Sequence, residues 1–557
     1  MASPNSSTTL QSTSAHPTPK AGKGASFWLS FLALVVCLLL GALDLTAVST
    51  ALPTITADLN GGDEFVWVGS AYALSSTAIL PLSGGLADIF GRKPIMLLSI
   101  TFFAAGSAIA GAAQNMHMLI AARTIQGIGG GCILNLSEII VSDLVPLAER
   151  GLYQGIIGLT WSFASGVGPP IGGSLAEKAS WRWLFYINLP LTGVAFILTI
   201  IFLDVRTPAG SMRGKLGRVD WGGNFIVIAG TTLAVVALTF AGGRFAWDSA
   251  QVLAPLIIGI ALVFLFLWYE AKVPTEPTIP WDILTNRTSL SAYASTFFHG
   301  IASISIIYYL PIFFQACRGT SPIRAGVDML PTALIISPFA LLAGALVQIT
   351  RKYRPSTYMG WILTIVGFGV LSLLRADNTV GQWVGYQVLV AAGIGMNFSA
   401  TVFPVLAPLP VERTASALAF FAFVRSFAQT WGITISSTIL QNELKKNLPG
   451  DFIRQFPEDM EIAYAAIPVI QTLEEPLRSQ VQQSFSVSMA VIWKTMIGIA
   501  GAGILTLPFL KEVELKTHTD ESFGLSEGGR ARPVDEETIV VPEVKDIGSQ
   551  GKGIDQA

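Results

Sequence analysis

Long apolar runs separated by short polar turns dominate this chain. Fourteen stretches reach about 20 predominantly apolar residues, the length a helix needs to cross a bilayer. They fall at roughly 26–52, 67–87, 94–113, 117–142, 151–177, 183–203, 219–241, 252–272, 289–316, 325–349, 358–374, 383–409, 414–441 and 487–511. The pattern predicts an all-α integral membrane protein with six helices, two extra helices and then six more. Residues 442–486 mix charges with Pro449, Pro457, Pro468 and Pro476 and read as one large loop. Residues 1–25 are rich in Ser, Thr and Pro, and 512–557 in Gly and Glu, so both read as disordered tails. The apolar run at 27–43 follows a long polar leader without a cleavage site before a soluble domain, and reads as a retained first helix.

Composition agrees and narrows the function. Of 557 residues, 52% are hydrophobic and 13% charged, with mean hydropathy +0.58, against about 25% charge in soluble domains. The net charge of −2 is uninformative about nucleic acid, and no basic cluster suggests a nucleic-acid partner. Three cysteines (Cys37, Cys132, Cys317) and four scattered histidines offer neither a disulfide framework nor a metal site. No Walker motif or ATP-binding domain interrupts the runs, and no cofactor is expected. With both termini placed in the cytosol, the inner short segments carry fifteen Lys and Arg, while the outer loops carry only Lys178, Arg182, Arg244, Arg318, Arg324 and Arg375. That positive-inside bias fixes the expected orientation.

Polar residues inside the runs are the candidate chemistry. Asp44 lies in LDLTAVSTALP at 43–53, where a charge at helix depth costs at least about 2.5–3.5 kcal/mol and therefore marks function. Burial favours the protonated form of such a carboxyl, as proton carriage requires; the bland alternative is an ion pair that only ties helices together. In RTIQGIGGGCI at 123–133, Arg123, Gly127, Gly130, Gly131, Leu134 and Glu138 share about one helix face. Arg123 and Glu138 are then about 22 Å apart at 1.5 Å per residue. The glycines admit a close neighbour. A dinucleotide fingerprint is excluded, because no strand precedes it and Cys132 stands where the last glycine belongs. Asp44 and Arg123 both fall in the outer halves of their helices and are plausible partners. Arg425 lies deep in its run among Phe420, Phe421, Phe423 and Phe427, and no Asp or Glu lies deep in any run from 289 to 511. Its counter-charge must come from Asp44 or Glu138, from backbone carbonyls or from a bound anion.

Two further segments carry a resemblance. GGLADIFGRKP at 84–94 sets Gly84, Asp88, Gly91, Arg92 and Lys93 in a two-helix turn, and residues 155–173 end in GPPIGG, with Gly155, Gly168, Pro169, Gly172 and Gly173 in register. Both resemble signatures of the major facilitator superfamily, the second that of its antiporters. With LDLTAVSTALP and WRWLFYINLP (181–190), the chain resembles a fungal drug:proton antiporter of the fourteen-helix branch, a multidrug or toxin efflux type. Departures are Ile89 in place of a cation, Ala164 in place of Gly, and Ser49 and Thr50 where Asn and Val are frequent.

The resemblance implies two six-helix bundles around a central cavity: 26–203 and 289–511, joined by a linker, 204–288, that holds the two extra helices. It implies proton coupling at Asp44, Arg123 and Glu138. A cytosolic latch would comprise Gly84, Asp88, Gly91, Arg92 and Lys93, with Asp143 as the mate of Arg92. The proline and glycines of the fifth helix would let it bend where the halves meet. Arg425, Gln429, Phe421, Trp161 and Asn397 are candidates for the cavity wall. The expected activity is export of amphipathic small organic molecules (secondary metabolites, toxins or drugs) in exchange for protons, by a monomer in the cell membrane. A proton-coupled importer, such as a siderophore or nutrient symporter, is the competing reading. An intramembrane enzyme or a receptor is disfavoured, since the spans lack clustered His, Asp or Ser nucleophiles.

Overall fold

The computed structural model describes residues 24–59, 66–242, 245–456, 462–519 and 523. The N-terminal tail to residue 23, Asp63, Glu64, Arg244, most of the C-terminal tail and the side chains of Ser49, Thr50 and Pro169 lie outside the described residues. No strand occurs among the described residues. Helices are what lipid demands, because every backbone N–H and C=O must be satisfied within its own segment.

Among the described residues, fourteen long helices coincide with the fourteen apolar runs. They are α1 (Ala25–Asp58), α2 (Val66–Phe90), α3 (Arg92–Gly111), α4 (Met116–Leu144), α5 (Arg150–Lys178) and α6 (Asn188–Phe202). The extra pair is α7 (Trp221–Phe240) and α8 (Ala250–Lys272). Then follow α9 (Arg287–Arg318), α10 (Leu330–Thr350), α11 (Arg354–Leu371), α12 (Val380–Ala400), α13 (Thr414–Asn447) and α14 (Leu477–Leu505). Among the described residues, 12 helices are long and apolar enough to cross a membrane. The two that fall short are α5, diluted by glycine, serine and Gln154, and α11, only 18 residues long and opening on Arg354-Pro355-Ser356-Thr357. Both pack inside the bundle, α5 between α1 and α10 and α11 against α12 and α14, so neither needs a wholly apolar surface.

Local chemistry sets the helix ends. Asn115 Oδ1 accepts from Met118 N at 2.8 Å to start α4, and Asn286 Oδ1 accepts from Thr288 N at 2.9 Å to start α9. Gly91, at φ 96°, makes the reversal between α2 and α3 that a side chain would strain. Lipid-facing apolar residues such as Phe225, Ile257, Phe264 and Trp268 stay exposed on α7 and α8.

The helices form two halves, α1–α6 and α9–α14. They meet along α5 against α10, and along α13 against α2 and α4. The extra pair lies over one seam, with α7 touching both α2 and α13. Phe27 of α1 packs on Tyr153, and Ala148 N donates to Lys516 O, so the start of α1 and the described segment after α14 lie at one end of the molecule, here called the terminal face. The segment expected as a loop over 442–486 is shorter and partly helical. Helix α13 runs on to Asn447, α14 begins at Leu477, and short helices Gly450–Ile453 and Ile462–Ile470 pack Phe452, Ile462 and Ile470 into the core.

Candidate functional site

The most completely satisfied polar cluster lies inside the first half. The Arg123 guanidinium on α4 donates from Nη1 to Asp44 Oδ2 on α1 at 2.6 Å, and from Nε to Val68 O at 3.0 Å. Gln126, one turn along α4, accepts from Arg123 Nη1 at 2.7 Å and donates to Asp44 Oδ1 at 2.8 Å and to Ser107 Oγ at 2.8 Å. Asn188 Nδ2 adds a third hydrogen bond to Asp44, at 2.8 Å. Both charges are buried, Arg123 at 1% and Asp44 at 2% exposure, and the guanidinium lies 4.5 Å from the Tyr72 ring centroid. The expected Asp44–Arg123 pairing is therefore present, within one half. Ser107, Asn188 and Tyr72 are partners the sequence did not flag. Asn188 sits in the INLP run already noted, whereas Ser107 is one small residue among many on α3.

The glycines of α4 let neighbouring backbones approach. A Cβ on Gly129 would stand 2.5 Å from Phe103 N of α3, and one on Gly131 would stand 2.6 Å from Ser76 O of α2. Fifteen residues beyond Arg123, Glu138 is held at the seam between the halves. Arg425 Nη1 of α13 lies 3.6 Å from Glu138 Oε1, with side chains 14% and 15% exposed. Arg425 also lies over the Phe421 and Phe398 rings, at 4.3 Å and 4.5 Å. Glu138 Oε2 and Arg425 Nε have no hydrogen-bond partner among the described residues. This loosely satisfied pair, bridging the halves, contrasts with the closed Asp44 network.

Of the other cavity candidates, Gln429 is half-buried one turn beyond Arg425, with its backbone against Gly300. Phe421 is fully buried under the guanidinium. Trp161 packs against the core of its own half. Asn397 is fully buried and donates to Thr364 Oγ1 of α11 at 3.3 Å, so it joins two helices of the second half.

The turn at the terminal face forms a compact ionic knot. Arg92 donates to Asp143 Oδ2 at 2.9 Å, Asp88 Oδ1 at 2.7 Å and Ala87 O at 2.8 Å. Lys93 Nζ caps Ile200 O at 2.7 Å. At the same level a Cβ on Gly84 would meet Ala419 Cβ at 2.7 Å, so α2 and α13 touch almost backbone to backbone. The Gly155 segment of α5 is divided between two neighbours. Gly155 abuts Leu341 of α10 across the seam, while Gly168 abuts Thr46 of α1 in its own half. Ser162 Oγ donates to Ala333 O and Ser337 Oγ to Gly158 O, both at 2.7 Å, across the α5–α10 seam. Gly172 is buried, and would-be contacts loosen to 3.5 Å at Gly173 against Ile323. Helix α5 is continuous through Pro169 and Pro170. The halves are thus clamped at the terminal face and slacken away from it.

A two-halved helical bundle with an ion pair across its seam restricts the family, and sequence comparison decides it: the profile of the Major Facilitator Superfamily matches residues 34–433. The chain belongs to the major facilitator superfamily. It is 37% identical over 526 residues to the efflux pump FUS6 of Gibberella fujikuroi, covering 93% of this chain and 95% of that protein. The MFS-type efflux pump LUC4 of a Fusarium species is 36% identical, covering 91% of each chain. The acurin A biosynthesis cluster MFS-type transporter of Aspergillus aculeatus is 36% identical, covering 90% of this chain and 92% of that protein. Among solved structures, the human organic anion transporter MFSD10 (TETRAN) aligns with TM-score 0.55 at 15% identity, over 87% of this chain and 100% of that one, a likeness of fold alone. This superfamily member is a multi-pass membrane transporter of the efflux-pump type and not an enzyme.

Proposed function

We propose that this transporter exports amphipathic organic molecules, of the secondary-metabolite, toxin or drug kind, in exchange for protons. In this reading all fourteen long helices cross the membrane and the terminal face is cytosolic. The positive-inside bias supports that orientation. The structure then represents a state closed toward the cytosol.

The observation that carries the coupling is the Glu138–Arg425 pair across the halves. The sequence points to Asp44 as the point of proton entry, but Asp44 accepts three hydrogen bonds within its own half. Among the described residues, Glu138 Oε2 has no hydrogen-bond partner, and its Oε1 meets Arg425 across the seam. A proton arriving from outside neutralises Glu138 and removes the charge that holds Arg425 to the first half. Arg425 keeps its own proton in every state. The halves then part on the cytosolic side, Glu138 releases its proton inward, and substrate takes its place beside Arg425 and the Phe421 and Phe398 faces. Proton and substrate thus alternate as the means of satisfying one cation. Asp44 and Arg123, joined inside one half, serve as a second ion pair, and protonation of Asp44 would free Arg123.

Accumulation of a labelled amphipathic metabolite in a cell lacking the gene tests this reading. Export requires restored cells to retain less label than the deletion strain, and a protonophore to erase the difference. Restored cells that retain more label would establish an importer. Loss of label that ignores the protonophore would remove the proton.

A further inference from the structure

The chain beyond α14 is laid back across the terminal face and touches both halves. On the second half, Lys511 N donates to Thr288 Oγ1 at 3.2 Å, Tyr353 N donates to Glu512 Oε1 at 2.9 Å, and Val513 N donates to Tyr353 Oη at 3.1 Å. The Tyr353 hydroxyl in turn donates to Lys511 O. Burial pushes that hydroxyl up to about 12, so it remains a donor throughout the physiological range. Leu515 is buried in the cluster that contains Leu406 and Leu409, and Lys516 Nζ donates to Leu409 O. On the first half, Ala148 N donates to Lys516 O at 3.3 Å. The Phe523 ring lies 3.3 Å from the guanidinium carbon of Arg92, the centre of the ionic knot. Between these anchors, Lys516, His518 and Thr519 wall a cavity of about 20 Å³ shared with Ser142, Asp143 and Arg150 of the first half.

We propose that this C-terminal segment, Lys511 to Thr519 with the Phe523 contact, is a strap that fastens the two halves together on the terminal face and must come away each time that face opens. A segment bonded to only one half would ride with it at no consequence. Bonded to both, it resists the parting of Ala148 and Arg92 from Leu409 and Tyr353. The location above the seam gives it leverage, because the α2–α13 and α5–α10 contacts directly beneath are those that opening separates. The proposal rests on the reading of the terminal face as the inner gate of an alternating-access exporter.

The test uses full-length protein in inside-out membrane vesicles, without substrate or pH gradient, and a membrane-impermeant maleimide as the probe. The three native cysteines are buried and give a low background. Ser142→Cys reports whether the strap is in place, and Ser337→Cys, on the α5–α10 seam, reports whether the halves have parted. Tyr353→Phe removes the hydroxyl anchor alone, keeping the ring, and Phe523→Ala removes the contact with Arg92. Each should raise labelling at both reporters by about 2- to 12-fold, the range for losing one hydrogen bond or one cation–π contact. A rise at Ser142→Cys without one at Ser337→Cys would show a cover that fastens nothing. Unchanged labelling at both, in either variant, would show no strap. Neither result depends on export or on proton coupling, so this proposal and that reading fail separately.

Discussion

The steepest test of the clamped terminal face is a single methyl group on Gly344. Gly344 of α10 packs against Gly151 of α5, and a Cβ there would stand 2.5 Å from the Gly151 carbonyl carbon and 2.6 Å from its Cα and O. All three are backbone atoms and cannot swing aside. To regain an ordinary separation of 3.4 Å, the two helices must part by about 0.9 Å at this point. Overpacking of this size costs about 1–3 kcal/mol. The strain exists only while the halves are clamped, so it appears as a shift of about 5- to 150-fold toward the state open at that face, at about 1.4 kcal/mol per tenfold. Gly344→Ala should therefore label faster at Ser337→Cys, and net export should fall because the state closed toward the cytosol is depleted. Gly151→Ala should act alike. Gly166→Ala is the control, since its Cβ would meet only Leu330 Cδ2 at 3.8 Å, an ordinary contact. Gly344→Ala that labels and transports as the parent does, in protein shown to be folded, would refute the inference that the α5–α10 contact opens during transport.

Three further outcomes follow from the ionic pairs. Arg425→Lys keeps the charge but not the planar fork over Phe421 and Phe398, and should transport at reduced rate, whereas Arg425→Ala leaves Glu138 facing a lost partner and should all but abolish transport, with surface expression checked in both. Arg92→Ala or Asp88→Asn should slow transport without changing which compounds confer resistance, because the knot lies at the terminal face; a changed resistance spectrum at unchanged rate would contradict that placement. Asp44→Asn removes the charge opposite Arg123 and should lower gradient-driven export severely; native export with native dependence on external pH would strip the pair of any role in coupling.

Much of the fold was legible because lipid allows so few solutions, and each apolar run became a helix. Pairings of opposite charges within the apolar runs and at their ends were also legible. Arg92 found Asp143, Arg123 found Asp44, and Arg425 found Glu138, one of its two named candidates. What the sequence did not reveal depends on contacts distant along the chain between residues of unremarkable type. Ser107 and Asn188 complete the Asp44 network across 63 and 144 intervening steps from it, and no spacing rule connects them. Asn397 is polar and central in its run, yet it turns to Thr364 inside its own half, a choice made by helix rotation. The largest surprise is the segment 511–519. Its composition reads as a tail, but Tyr353, Leu409 and Ala148, set far apart in sequence, together provide the surface on which it is ordered.

The claim on which the rest depends is that the Glu138–Arg425 tie is the point where a proton governs the two halves. Its direct test is substrate accumulation by purified protein in proteoliposomes, with and without an imposed pH gradient, comparing the parent with Glu138→Gln. Glutamine retains the size and a hydrogen-bond acceptor while fixing the neutral form. The account requires the parent to concentrate substrate only while the gradient lasts. It requires Glu138→Gln still to exchange labelled for unlabelled substrate down its own gradient but to concentrate none. Glu138→Gln that concentrates substrate against the gradient as the parent does would contradict it.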